Sequence, residues 1–231
     1  MPNAADGIPF DEETWEQLPA FLGKLPEPVV LHVWADEEAT AAEREAIRLA
    51  RLLSDRFPET IAHALFPRRA NYSYYPVIGI MSGTAEKIDD PGLRIIGLPI
   101  GYQMTSLIAA IQAVSFRGQT LEPASRLKLH QLNERQKHVA IEIVTLADNE
   151  TGALVAKPAF GAAAASPWIK TYLVIADFFP ETAQLYASKS LPHMVINKRV
   201  HFAGPLDEDE LLRQIGLAVR AEQGQSGPAV N

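Results

Sequence analysis

Val139-Ala140-Ile141-Glu142-Ile143-Val144-Thr145-Leu146-Ala147-Asp148-Asn149-Glu150-Thr151 is the stretch around which the chain is organised. Residues 139–144 are mostly apolar and rich in β-branched types, the pattern of a strand buried on both faces. Thr145, Leu146 and Ala147 lead off that strand, and Asp148 stands where a helix N-cap belongs. A strand that hands residues to a helix N-terminus prepares a site, because the free N–H groups and the helix dipole there favour negative charge. The residues handed over are Asp148, Asn149, Glu150 and Thr151, and none is a strong nucleophile as it stands.

Composition narrows the function classes. The 231 residues are 47% hydrophobic and 21% charged, ordinary for a globular protein and enough to bury a sizeable core. The net charge of −7 gives no support to nucleic acid or an anionic membrane as partner. No apolar run approaches the length of a membrane span, and residues 1–10 lack a signal-peptide pattern, so a cytoplasmic location is expected. The chain has no cysteine, which excludes disulfides, thiolate metal sites and thiol catalysis. Its six histidines are scattered without metal-ligand spacing, and no metal site is expected. Gly97 and Gly101 do not make a Gly-x-Gly-x-x-Gly pattern, and no cofactor is implied.

Outward from the central stretch the elements recur. Upstream, an acidic helix over 11–22 precedes a strand at 29–34, which leads through Ala35-Asp36-Glu37-Glu38 into a helix with Ala46, Leu49, Ala50 and Leu53 on one stripe. A short strand at 61–66 follows. Tyr75-Pro76 then leads a strand at 77–81, closed by a turn at Ser82-Gly83 and a brief partner strand at 94–96. The segment 117–137 reads as the connection between two halves, 1–118 and 119–231. Downstream, the strand at 139–144 meets its helix, with Pro158 as a kink and the small residues 161–165 packed on the sheet. A strand at 169–175, a helix after Phe179-Pro180, and a hairpin of 193–196 with 199–202 through Asn197-Lys198 complete the series. Asp207 and Glu210 announce a last helix with a capping box, and an irregular tail is expected from residue 222. Asp36 and Asp148 are offset by 112 residues (148 − 36), Pro76 and Pro192 by 116 (192 − 76). Offsets this similar mark an internal repeat.

Strand–helix–strand, then a Pro-led hairpin and a helix, is the thioredoxin order of elements, here present twice. The segment Gly97-Leu98-Pro99-Ile100-Gly101-Tyr102-Gln103-Met104-Thr105-Ser106-Leu107 resembles one in the N-terminal domain of alkyl hydroperoxide reductase flavoprotein subunits. Tandem-thioredoxin protein disulfide oxidoreductases have a similar stretch. The resemblance runs from about Trp15 to about Val219 and implies an α/β protein of two thioredoxin-like folds with a continuous central sheet. It also implies a degenerate first site at Asp36-Glu37-Glu38-Ala39, and a Cys-x-x-Cys motif where Asp148-Asn149-Glu150-Thr151 stands. Asp148 and Thr151 take the two cysteine places, and a carboxylate cannot form the mixed disulfide that thiol exchange requires. No catalytic residue is therefore expected.

Two readings of Asp148 stand side by side: a plain N-cap worth about 1 kcal/mol, or part of a retained polar pocket. The resemblance implies a cis bond at Pro192, opposite the former site. Leu191 then offers backbone hydrogen bonds to an extended peptide, or the proline only shapes its turn; His193 falls at the groove edge. The leading expectation is a non-redox module holding a protein or peptide partner at these residues. The alternatives are a relative of thiol-disulfide or peroxide-reducing enzymes acting with a partner's thiols, and a structural subunit making homo-oligomer contacts.

Overall fold

The computed structural model describes residues 12–185 and 190–224. The first half contains α1 (Glu12–Leu22), β1 (Val29–Trp34), α2 (Ala41–Arg56), β2 (Ile61–Phe66), β3 (Val77–Thr84), β4 (Lys87–Ile96) and α3 (Gln103–Ser115). The second contains α4 (Pro123–Asn133), β5 (Val139–Thr145), α5 (Glu150–Ala165), β6 (Ile169–Ile175), α6 (Glu181–Leu185), β7 (His193–Ile196), β8 (Val200–Ala203) and α7 (Glu208–Gly224). The expected tail is corrected at its start, since α7 runs to Gly224; the rest of it, and residues 1–10, lie outside the described residues. Among the described residues no helix is long and apolar enough to cross a membrane.

All eight strands form one sheet in the order β2-β1-β3-β4-β6-β5-β7-β8. In the first half β1 pairs parallel with β2 and antiparallel with β3, which pairs antiparallel with β4. The second half repeats this with β5 as its centre: parallel to β6, antiparallel to β7, and β7 antiparallel to β8. The halves meet where β4 lies parallel to β6, with Leu93 opposite Thr171 and Ile96 opposite Val174.

The two-residue period of the strands sorts side chains between two cores. Leu31, Leu93, Ile95, Ile141 and Leu173 face the helices in a core that spans both halves. Val30, Trp34, Val77, Ile96, Val144 and Val174 face the other way, with Tyr74, Tyr75, Phe179 and Leu191 packed against them. β5 is not buried on both faces throughout: Ala140 and Glu142 are only half-buried between buried neighbours, and successive residues are all buried from Ile143 to Thr145.

The β3–β4 hairpin of the first half also departs from expectation. β3 passes through Ser82 and Gly83 to Thr84, and β4 starts at Lys87 rather than Arg94. Asp89-Asp90-Pro91-Gly92 reads as loop chemistry, yet it stays in the strand. The register with β3 shifts between Ile80 and Ser82, opposite the stretch that holds Pro91, and Asp90 is tied to the Gly92 N–H and to Arg94. The small residues of α5 pack on the inter-half connection as well as the sheet: a side chain at Gly161 would meet Leu121. The helix continues through Pro158.

Candidate functional site

The loop after β5 carries Asp148, Asn149, Glu150 and Thr151, and its backbone is held by hydrogen bonds from both halves. α5 begins at Glu150, so the N-cap is Asn149, not Asp148: Asn149 Oδ1 accepts from the Gly152 N–H at 2.9 Å. One position decides this, because an N-cap oxygen must reach the N–H of the second or third helical residue. Asp148 is exposed, Glu150 is exposed, and Thr151 is half-buried on the first turn.

Asn149 does more than cap. Its Nδ2 donates to Leu191 O at 3.0 Å, across to the segment that leads β7. The Leu191–Pro192 peptide is cis, as is Tyr75–Pro76 in the first half. The structure therefore brings Asp148–Thr151 and Leu191–Pro192 together, while one acceptor site on the Leu191 carbonyl is already taken. His193 is buried and turns to β8, with Nε2 3.1 Å from His201 Nδ1. Burial, reinforced by His201, holds its pKa below the ordinary imidazole value.

The first half supplies the floor of this loop, which the sequence reading missed. The fully buried Gln103 donates from Nε2 to Leu146 O at 2.8 Å and to Asn149 O at 3.0 Å. The Tyr102 N–H donates to Ala147 O at 2.9 Å. Gly101 has φ +57, and a Cβ there would come within 2.6 Å of Ala147 O, so only glycine fits. On the far side the Ala147 N–H is held by Asp177 Oδ2 at 2.7 Å. The Gly97–Gln103 segment that carries the family resemblance is thus a cradle for the other half's site. The signal was present in the segment, but nothing in a linear reading points to its target.

The equivalent place in the first half is closed by a carboxylate. Thr40 caps α2, and the buried Glu43 accepts from the Asp36 N–H at 2.8 Å, from Thr40 Oγ1 at 2.9 Å and from Arg68 Nε at 2.9 Å. Burial pushes the Glu43 carboxyl up, but the bonds from Arg68, Asp36 and Thr40 outweigh it and hold its pKa below the ordinary value. Among the described residues no group of three or more His, Asp or Glu side chains could hold a metal ion.

The structure matches the N-terminal domain of alkyl hydroperoxide reductase AhpF from Enterococcus faecalis with TM-score 0.77, over 89% of this chain and 99% of that one, at 20% identity. The chain has the tandem thioredoxin fold. A protein disulfide oxidoreductase from Aeropyrum pernix matches equally well, TM-score 0.77 and 20% identity over 91% of this chain and 94% of that one. Identity at this level shows shared architecture alone; the activities named belong to those proteins. No family model matches the sequence, and no curated protein does.

Two substitutions test these ties by urea denaturation. Asn149→Ser keeps a capping oxygen and loses the bond to Leu191, with an expected cost of about 0.5–1.5 kcal/mol; Asn149→Ala loses the cap as well, for about 1 kcal/mol more. Equal stability of the two variants contradicts the double role. For Glu43 the folded-state pKa lies below the unfolded one, so its contribution is present above about pH 4.5, its ordinary value, and is lost as pH falls through the lowered folded value. The acid limb of the stability profile is expected to flatten in Glu43→Gln; an unchanged limb contradicts the assignment.

Proposed function

We propose that this protein is a non-redox thioredoxin-like binding module, whose partner meets the rim of the former exchange site at Asp148, Glu150, Thr151 and Leu191. The observation that carries this reading is the bond from Asn149 Nδ2 to Leu191 O. It fastens together the two segments that bracket an exchange site, leaving a preset surface instead of a reactive one. A surface fixed before binding loses less conformational freedom on association.

Sulfur chemistry has no agent in this chain. Dithiol exchange needs a thiolate to attack and a second thiol to resolve the mixed disulfide, and the sequence contains neither. The cradle of Tyr102, Gln103 and Asp177 retains the shape of the loop without it. A peptide added as an extra strand would have to share the Leu191 carbonyl, which keeps one lone pair for it. Recognition through side chains on the rim makes no such demand. The leading docking mode is therefore a folded partner surface.

Insulin reduction in the presence of dithiothreitol is expected to proceed at the protein-free rate; turnover above that rate would revive an enzymatic reading. Affinity capture from cell extract is expected to recover a partner with the native protein and at least tenfold less with Asp148→Lys/Thr151→Arg. Equal recovery by both proteins contradicts a partner at the rim.

A further inference from the structure

An opening lies over the seam between the halves, on the sheet face opposite the core that packs against α2, α3 and α5. It is a cleft of about 680 Å³ above β4, β6 and β5, within the size range of small-molecule sites. The sheet register sorts its floor into rows. One row runs Ile96, Val174, Val144 and is apolar. The next runs Arg94, Tyr172, Glu142. The third holds Lys170 between two small neighbours, Ala140 opposite it on β5 and Gly92 in contact with its stem. These small residues leave room above the floor.

Walls rise from both halves. Tyr72 and Tyr74 come from the loop between β2 and β3, Thr182 from α6 and Lys198 from the β7–β8 turn. Tyr74 meets Phe179 with ring centroids 4.8 Å apart, closing the apolar end. At the other end Asn197 Oδ1 accepts from the Ala140 N–H at 2.8 Å, which sets Lys198 beside the Lys170 row. Neither half alone could form the cleft.

The charge in this cleft runs against that of the chain. Net charge overall is −7, yet the lining holds Arg69, Arg94, Lys170 and Lys198 against Asp90 and Glu142. Arg94, only 8% exposed, is committed to Asp90 and to the Tyr72 hydroxyl at 2.9 Å each. The charges of Arg94 and Asp90 therefore offset each other. The remainder is cationic, with an apolar bed at one end and lysines at the other.

We propose that the cleft binds a small organic anion, a carboxylate or phosphate head on an apolar body, with Lys170 and Lys198 meeting the head and Ile96, Val144 and Val174 the body. The site goes beyond the partner surface proposed above and shares no residue with its rim.

Calorimetric titration of the full chain with phenyl phosphate and with 3-phenylpropanoate tests it, with inorganic phosphate as the head alone. At least one of the two aromatic anions is expected to bind saturably and at least tenfold tighter than inorganic phosphate. Lys170→Glu/Lys198→Glu is expected to weaken that binding at least tenfold; both lysines are exposed, so circular dichroism of the variant should match the native protein. Lys24→Glu/Lys157→Glu, an equal charge change at exposed sites outside the cleft, is expected to leave it unchanged. Absence of saturable binding by both anions overturns the proposal, as do equal weakening by the two double variants and phosphate binding as tight as the aromatic anions.

Discussion

The parallel pairing of β4 with β6 is the constraint on which the molecule depends. Without it there are two small sheets of four strands, each ending in an unprotected edge; with it there is one sheet of eight. Parallel pairing demands cover on both faces. The helices supply it on one side through Ile95 and Leu173, and the loops of both halves supply it on the other around Ile96 and Val174. The seam also fixes where the first half's Gly97–Gln103 segment emerges. It leaves the end of β4 and runs under the loop that follows β5, where Tyr102 and Gln103 take up the carbonyls of that loop.

The loops after β1 and β5 are closed by different chemistry in equivalent places of the two halves. In the first half a buried carboxylate, Glu43, gathers the loop after β1 and Arg68 from the segment between β2 and β3. In the second a neutral amide, Asn149, links the helix start to the proline segment, while a second amide, Gln103, holds the loop from below. Amides can donate and accept at once, so they bridge backbone groups of both kinds without burying charge.

Much of the fold was legible in the sequence, because period and punctuation act locally. β1 is found at 29–34 as the run of β-branched residues indicates, and β6 at 169–175 likewise. The repeat of Pro-led strands gave the doubling. The failures share a cause. Asp89-Asp90-Pro91-Gly92 looks like a loop until Arg94, on the same strand, claims Asp90. Asp148 looks like the cap until the helix is seen to start two residues later and Asn149 to face it. The role of Gln103 depends on carbonyls in the other half, distant in sequence. Local patterns place elements; the partners of buried polar groups are set by tertiary contacts that no local pattern encodes.

Through the seam the two halves are expected to unfold as one cooperative body. Native-state hydrogen exchange reads this directly, since amides released only by global unfolding share a single opening free energy. Amides of β4 at Leu93–Ile96 and of β6 at Thr171–Val174, which face each other across the seam, are expected to exchange last, with the same opening free energy and the same dependence on denaturant as the slowest amides of β1 and β5. Separate opening free energies for the two sets of four strands would show halves that unfold independently, and would contradict the account.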